Sequence, residues 1–192
     1  MRPSFGLLLA LSIPLASTAR ADGGSDILAI DQAQSSVTYH LVHKLHKFDG
    51  VSKKLEGRAR ALPTGQVQVG VRAQVESFDS GNVNRDEHMK ETVDASRFPT
   101  VEVKALMEGV TPPATFPSTI DKQAKVQITL HGVQESLDVP VQLVFESADR
   151  VRVTTSFNVS VEGFKIERPS LMFVKIDDAM KVDAKLVFVR NK

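Results

Sequence analysis

Two places in the chain concentrate residues capable of chemistry. His40, His43 and His46 recur at intervals of three, and Arg85, Asp86, Glu87, His88, Lys90 and Glu91 crowd into seven positions. Histidines three apart on a helix share a face and can hold a divalent cation. The second cluster joins an imidazole to carboxylates, the pairing that general acid–base catalysis uses. Neither pattern is completed. A zinc-protease helix needs a second histidine four residues after the first, and Thr92 stands there. No Gly-x-Ser-x-Gly elbow activates a serine, and no Gly-rich loop is built to cradle phosphate. The chain has no cysteine, which removes thiol catalysis, disulfides and a lipid-modified Cys. Asn158-Val159-Ser160 matches a glycosylation sequon, but inside a strand pattern. By elimination, a binding protein outranks an enzyme.

The elements that position these residues are almost all strands. In Ser35–Leu45, Val37, Tyr39, Leu41, His43 and Leu45 fall on one face, with His40 and His46 on the other. His43 thus points away from its two neighbours, and one ion cannot meet all three. The same alternation runs through Val67–Val75, Val101–Ala105, Val126–Leu130, Leu137–Phe145, Val151–Val159 and Met180–Phe188. Period-two patterning rich in Val marks half-buried antiparallel strands. His131-Gly132 and Asp149-Arg150 read as turns, the three prolines of Thr111–Thr119 as a loop, and Gly57 and Gly70 as bulges or bends. Eight or so strands in series predict a sandwich or a closed barrel. At about eight strands a barrel either fills with side chains or holds one small ligand.

One segment departs from that rhythm, and it contains the charged cluster. Ser80 or Asn84 can cap a short helix, with Asp86 and Glu87 in the first turn where the dipole favours negative charge. Met89 and Val93, four apart, form its narrow apolar stripe. Phe98-Pro99 is expected to end it. A helix over 84–95 explains much of the cluster without catalysis.

Composition narrows the class further. Met1–Ala21 has a basic start, an apolar run and an Ala19-Arg20-Ala21 cleavage pattern, the marks of a secretory signal peptide. Its removal leaves 171 of 192 residues, enough for one domain, 22–192. Arg2 and Arg20 leave with it, so the 24 Lys+Arg fall to 22 against 23 Asp+Glu. A balanced chain with no Trp and one Tyr gives no reason to propose nucleic acid as a partner. Pro14 and the shortness of the apolar run argue against stable membrane insertion.

Three blocks together point to a family. They are SVTYHLVHKLHKFDGVSKKLEGRARAL, SFDSGNVNRDEHMKETVDASRFPTVEVKA and KVQITLHGVQESLDVPVQL. In their order they resemble YceI-like proteins: an aromatic-containing first strand, an Arg-Asp-x-His block closing on aromatic-Pro-Thr, and a hairpin similar to Leu-Thr-x-His-Gly-Val. The resemblance implies an all-β, eight-stranded antiparallel, lipocalin-like barrel with one short helical segment. It also implies an apolar pore for a polyisoprenoid chain such as a prenyl phosphate or a quinone, and periplasmic or secreted location.

Alternation and resemblance together nominate pore residues Tyr39, Leu41, His43, Val71, Phe78, Phe98, Phe157 and Phe188. Arg85 and His88 either meet the ligand's polar end or hold the helix to the barrel. No catalytic residue, metal ligand or cofactor is assigned, and the expected partner is an isoprenoid-like lipid. Homodimerisation is left open. The alternatives are a structural or stress-associated envelope protein with a filled barrel, and a metal-dependent hydrolase centred on His88.

Overall fold

The structure, a computed structural model, describes residues 26–43, 46–171 and 174–190; the expected signal segment and Leu45 lie outside them. In chain order the strands are β1 (Asp26–Ile30), β2 (Ser36–His43), β3 (His46–Ser52), β4 (Leu55–Ala61) and β5 (Val67–Gln74). Helix α1 (Val83–Thr92) follows, then β6 (Thr100–Met107), β7 (Ser118–Leu130), β8 (Val133–Ser147) and β9 (Arg150–Ser160). Two short strands, β10 (Ser170–Leu171) and β11 (Val174–Lys175), precede β12 (Ala179–Val189).

Every pairing in the main sheet is antiparallel, and the sheet closes on itself. β12 lies beside β9 along its whole length, and its other edge takes β2 at Lys181–Lys185 and β1 at Phe188–Val189. β1 and β2 therefore occupy one position in the wall, interrupted by a 3-10 turn at Gln32–Gln34. β3 and β4 share the next, pairing with β2 and β1 in turn. Counted this way, the wall has eight positions: β1/β2, β3/β4, β5, β6, β7, β8, β9 and β12. The expected eight-stranded barrel is the observed one.

Each interruption leaves backbone groups that need partners, and serines supply them. At the first, buried Ser35 donates to Asp31 O at 2.7 Å and accepts from Val187 N–H at 2.9 Å. Asp31 N–H donates to Val187 O at 2.7 Å. At the second, the fully buried Ser52 meets the Ser77 hydroxyl at 2.7 Å and accepts from Lys54 N–H.

The interior differs between the two halves of the barrel. Leu55, Ala59, Ala73, Leu186 and Phe188 pack as a solid plug, with Phe188 only 1% exposed. In the other half the wall parts twice. The β8–β9 ladder stops at Val141↔Thr155, whereas β7–β8 continues to Leu130↔Val133 and β9–β12 to Ser160↔Ala179. β5 stops at Gln74, so beyond the bridge Val51↔Asp79 no strand among the described residues flanks β3 on that side. The described residues of the segment after β9 within 161–178 (161–171 and 174–178) and helix α1 take up these two places.

Several local expectations need correction. The helix is capped by Asn82, whose side chain accepts from Arg85 N–H, and not by Ser80 or Asn84. It ends at Thr92, ahead of Phe98-Pro99, because Asp94 turns left-handed at φ 47°. Gly57 and Gly70 carry no bulge, since the β4–β5 register runs unshifted through both. Gly57 is required there by close approach: a Cβ would sit 2.7 Å from Gly70 O. The proline-rich loop ends two residues earlier than expected, with β7 beginning at Ser118. The His131-Gly132 turn is as read, both residues having positive φ, as a tight hairpin needs.

Candidate functional site

Where the wall parts, the barrel holds an apolar cavity of about 250 Å³ that is partly open to solvent. Its walls come from inward residues of β2, β3, β6, β7, β9 and β12, one face of α1, and the segment 161–178. Strand alternation puts Tyr39 and Leu41 into it from β2, and Phe157 and Val159 from β9. Phe78, just after β5, faces Tyr39 with ring centroids 5.6 Å apart. Helix α1 contributes Arg85, His88, Met89 and Thr92, an i, i+3, i+4, i+7 set that follows from the helical repeat.

Six of the ten nominated residues thus meet at one cavity: Tyr39, Leu41, Phe78, Arg85, His88 and Phe157. Four lie elsewhere. Phe188 belongs to the plug, and Val71 packs against it. Phe98 stacks edge-on against His131, ring centroids 5.1 Å apart, outside the cavity. His43 is inward-facing and 3% exposed, but its Nε2–H donates to Val174 O at 3.1 Å and so ties down the segment 161–178. His131 does the same from the opposite rim, donating from Nδ1 to Phe164 O at 3.1 Å.

Other lining residues were not nominated. Phe48 stands opposite Leu41 in the β2–β3 ladder, so alternation on that hairpin carried the signal. Phe164, Ile166 and Ile176 are buried cavity residues from the segment 161–178, which has no regular periodicity to mark them.

The charged cluster resolves into a framework. Asp86 accepts from Ser80 N–H at 3.1 Å and from the Ser80 hydroxyl at 2.5 Å. Arg85 donates from Nε to Ser80 Oγ and from Nη2 to Ser80 O, both at 2.8 Å. Its guanidinium also covers the Phe48 ring, 5.5 Å from the centroid, across the place where β3 lacks a strand neighbour. His88 is mostly exposed, with Nδ1 3.8 Å from Glu91, and Lys90 pairs with Glu87 at 2.9 Å. Of the histidine triplet, His40 lies on the outer face between Asp49 at 2.7 Å and Asp183 at 2.9 Å, clamping β2 to β3 and β12. His46 does not share the outer face with His40 as expected: it stands opposite the inward His43, two residues from the inward Phe48, and is exposed at the end of β3.

The electrostatics of the cavity centre on Tyr39. Burial first, then the nearby Asp86 carboxylate, pushes its phenol up to about 12. The opposite behaviour marks the segment 161–178. Asp178 is held below the usual carboxylate range, first by the Glu162 N–H and then by the Ser160 hydroxyl.

A closed eight-stranded barrel that is solid in one half and hollow and apolar in the other is a lipocalin-like architecture. The chain belongs to the YceI-like family, whose domain model matches residues 28–188. Solved structures share the fold at low identity. A polyisoprenoid binding domain from Saccharophagus degradans, implicated in plant cell wall breakdown, aligns with a TM-score of 0.70 and 14% identity, covering 87% of this chain and 99% of that one. BcnA of Burkholderia cenocepacia aligns at 0.67 and 16%, covering 82% and 98%. The Campylobacter jejuni YceI protein aligns at 0.57 and 13%, covering 79% and 87%. No curated protein sequence matches the chain significantly.

Proposed function

We propose that the protein is a non-catalytic carrier that holds an isoprenoid-type lipid, a polyprenyl phosphate or quinone-like amphiphile, in the hollow half of its barrel. The observation that carries this is the apolar cavity of about 250 Å³. Water is a poor occupant, because a buried water needs two to four polar partners. An empty apolar cavity is costly too, because its lining forfeits dispersion contacts. An apolar chain recovers that dispersion and adds about 0.8 kcal/mol for each methylene it buries. The volume lies just under the roughly 300 Å³ at which ligand pockets begin, so a slim chain suits it better than a bulky ring system.

The polyisoprenoid-binding description of the Saccharophagus degradans domain supports the same reading. The signal-like Met1–Ala21 supports action in the periplasm or outside the cell. The filled-barrel alternative describes the plug around Phe188 but not the opposite half. Mass spectrometry of organic extracts from protein purified out of its own cell envelope tests the proposal. An isoprenoid-type lipid at near-stoichiometric amount is expected; repeated recovery of none would favour a barrel without a ligand.

A further inference from the structure

Four polar side chains among the described residues reach the cavity: Tyr39, Arg85, His88 and Thr92. His88 is mostly exposed beside Glu91, and two of the others are already hydrogen-bonded. Arg85 donates twice to Ser80 and lies on Phe48. The Thr92 hydroxyl donates to His88 O at 2.7 Å. Tyr39 is different: its hydroxyl takes part in no hydrogen bond among the described residues. Every sealed side-chain nitrogen or oxygen among them does have a partner, so this hydroxyl is not sealed, and Tyr39 is among the residues that line the cavity. Its position is built. The ring lies across Gly50 of β3, where any Cβ would overlap its edge, and Phe78 supports it from another side.

The charges acting on the hydroxyl are two carboxylates, Asp86 and Asp49, and one guanidinium, Arg85. An ionised phosphate there would be desolvated beside two like charges, and the single cation is already turned to Ser80. That arrangement disfavours an anion. It suits a neutral acceptor, and the phenol, pushed up to about 12, stays a donor throughout the physiological range.

We infer that Tyr39 Oη is the hydrogen-bond anchor for the polar end of the bound chain, and that this end is an uncharged oxygen acceptor, not a phosphate. The inference rests on the lipid-binding reading and narrows it. Farnesol, farnesyl phosphate and the hydrocarbon farnesene share one chain and differ at its end, so titrating each into the protein tests it. The wild type is expected to bind farnesol more tightly than either of the others. Tyr39→Phe, which keeps the ring on Gly50 and Phe78, should weaken farnesol about three- to tenfold, the range of one neutral hydrogen bond, and leave farnesene unchanged. Equal farnesol affinity in the variant, or tighter wild-type binding of farnesyl phosphate, would overturn the anchor while leaving the carrier reading in place. Failure of all three ligands, farnesene included, would overturn the carrier reading and this inference with it.

Discussion

Tyr39 is the only tyrosine in a chain without tryptophan, so its ionisation can be followed with no interfering signal. A tyrosinate absorbance titration of the folded protein should give a midpoint near 12, against the ordinary 10.0. The consequence for stability has a definite sign. Between those values the unfolded chain releases the phenol proton and the folded chain keeps it, so stability falls as pH rises. Below pH 10 the contribution is fully present; it is lost as pH climbs through the folded value. A midpoint at the ordinary value would mean that the ring is not desolvated as described. Alternation placed Tyr39 on the inner face from sequence alone. Its free hydroxyl was not legible, because that depends on Gly50 arriving from the facing strand and on Asp86 from a helix far along the chain.

At the scale of elements, α1 and the segment 161–178 stand where strand pairing gives out, and short-range polar contacts hold both. In the segment, Asp178 accepts from the Ser160 hydroxyl at 2.7 Å and Glu162 N–H at 2.8 Å, and Arg168 donates to Glu162 at 2.7 Å and to Ile176 O at 2.9 Å. Asp178 has its carboxyl depressed from 3.8 by those donors. Its contribution is therefore present above pH 3.8 and lost as pH falls through the lower folded value. Asp178→Ala should flatten the acid limb of the stability–pH curve and speed amide exchange in residues 161–178, leaving exchange in the plug strands unchanged. Equal acid sensitivity in the variant would show that another carboxylate sets the limb; Asp183, lowered by Ser156 and Lys181, is the next to test. The helix was legible through Asp86, Glu87, Met89 and Val93, yet its cap was misplaced. Choosing Asn82 over Ser80 depended on Ser80 being engaged by Asp86 and Arg85, contacts that no propensity encodes.

The whole molecule combines a solid plug with a hollow proposed to bind lipid, and paired substitutions should separate the two. Phe188→Ala in the plug should cost about 3–5 kcal/mol of stability, the usual range for a buried Phe, with little change in lipid affinity. Leu41→Trp should do the reverse. Its ring displaces at least two methylenes' worth of ligand, at about 0.8 kcal/mol each, so affinity drops by about tenfold or more while the melting temperature holds. Denaturation curves and lipid titrations on the same two proteins check both outcomes. Loss of affinity in Phe188→Ala matching that in Leu41→Trp would mean that the halves are not independent.

The sequence by itself determined the strands, their inward faces and the class of fold, because a period of two is a local property that each strand displays on its own. Its three family-like blocks carried the barrel's closure and the expectation of an isoprenoid-type ligand. Only the tertiary structure decided that the interior is half filled and half hollow. That division arises where β8 and β9 separate and where β5 ends before β3 does. Ladder length is a relation between strands, set by how a twisted sheet closes, and no single strand's pattern records it. The same relation decided that Arg85 and His88 border an apolar cavity as parts of a helix that replaces missing wall.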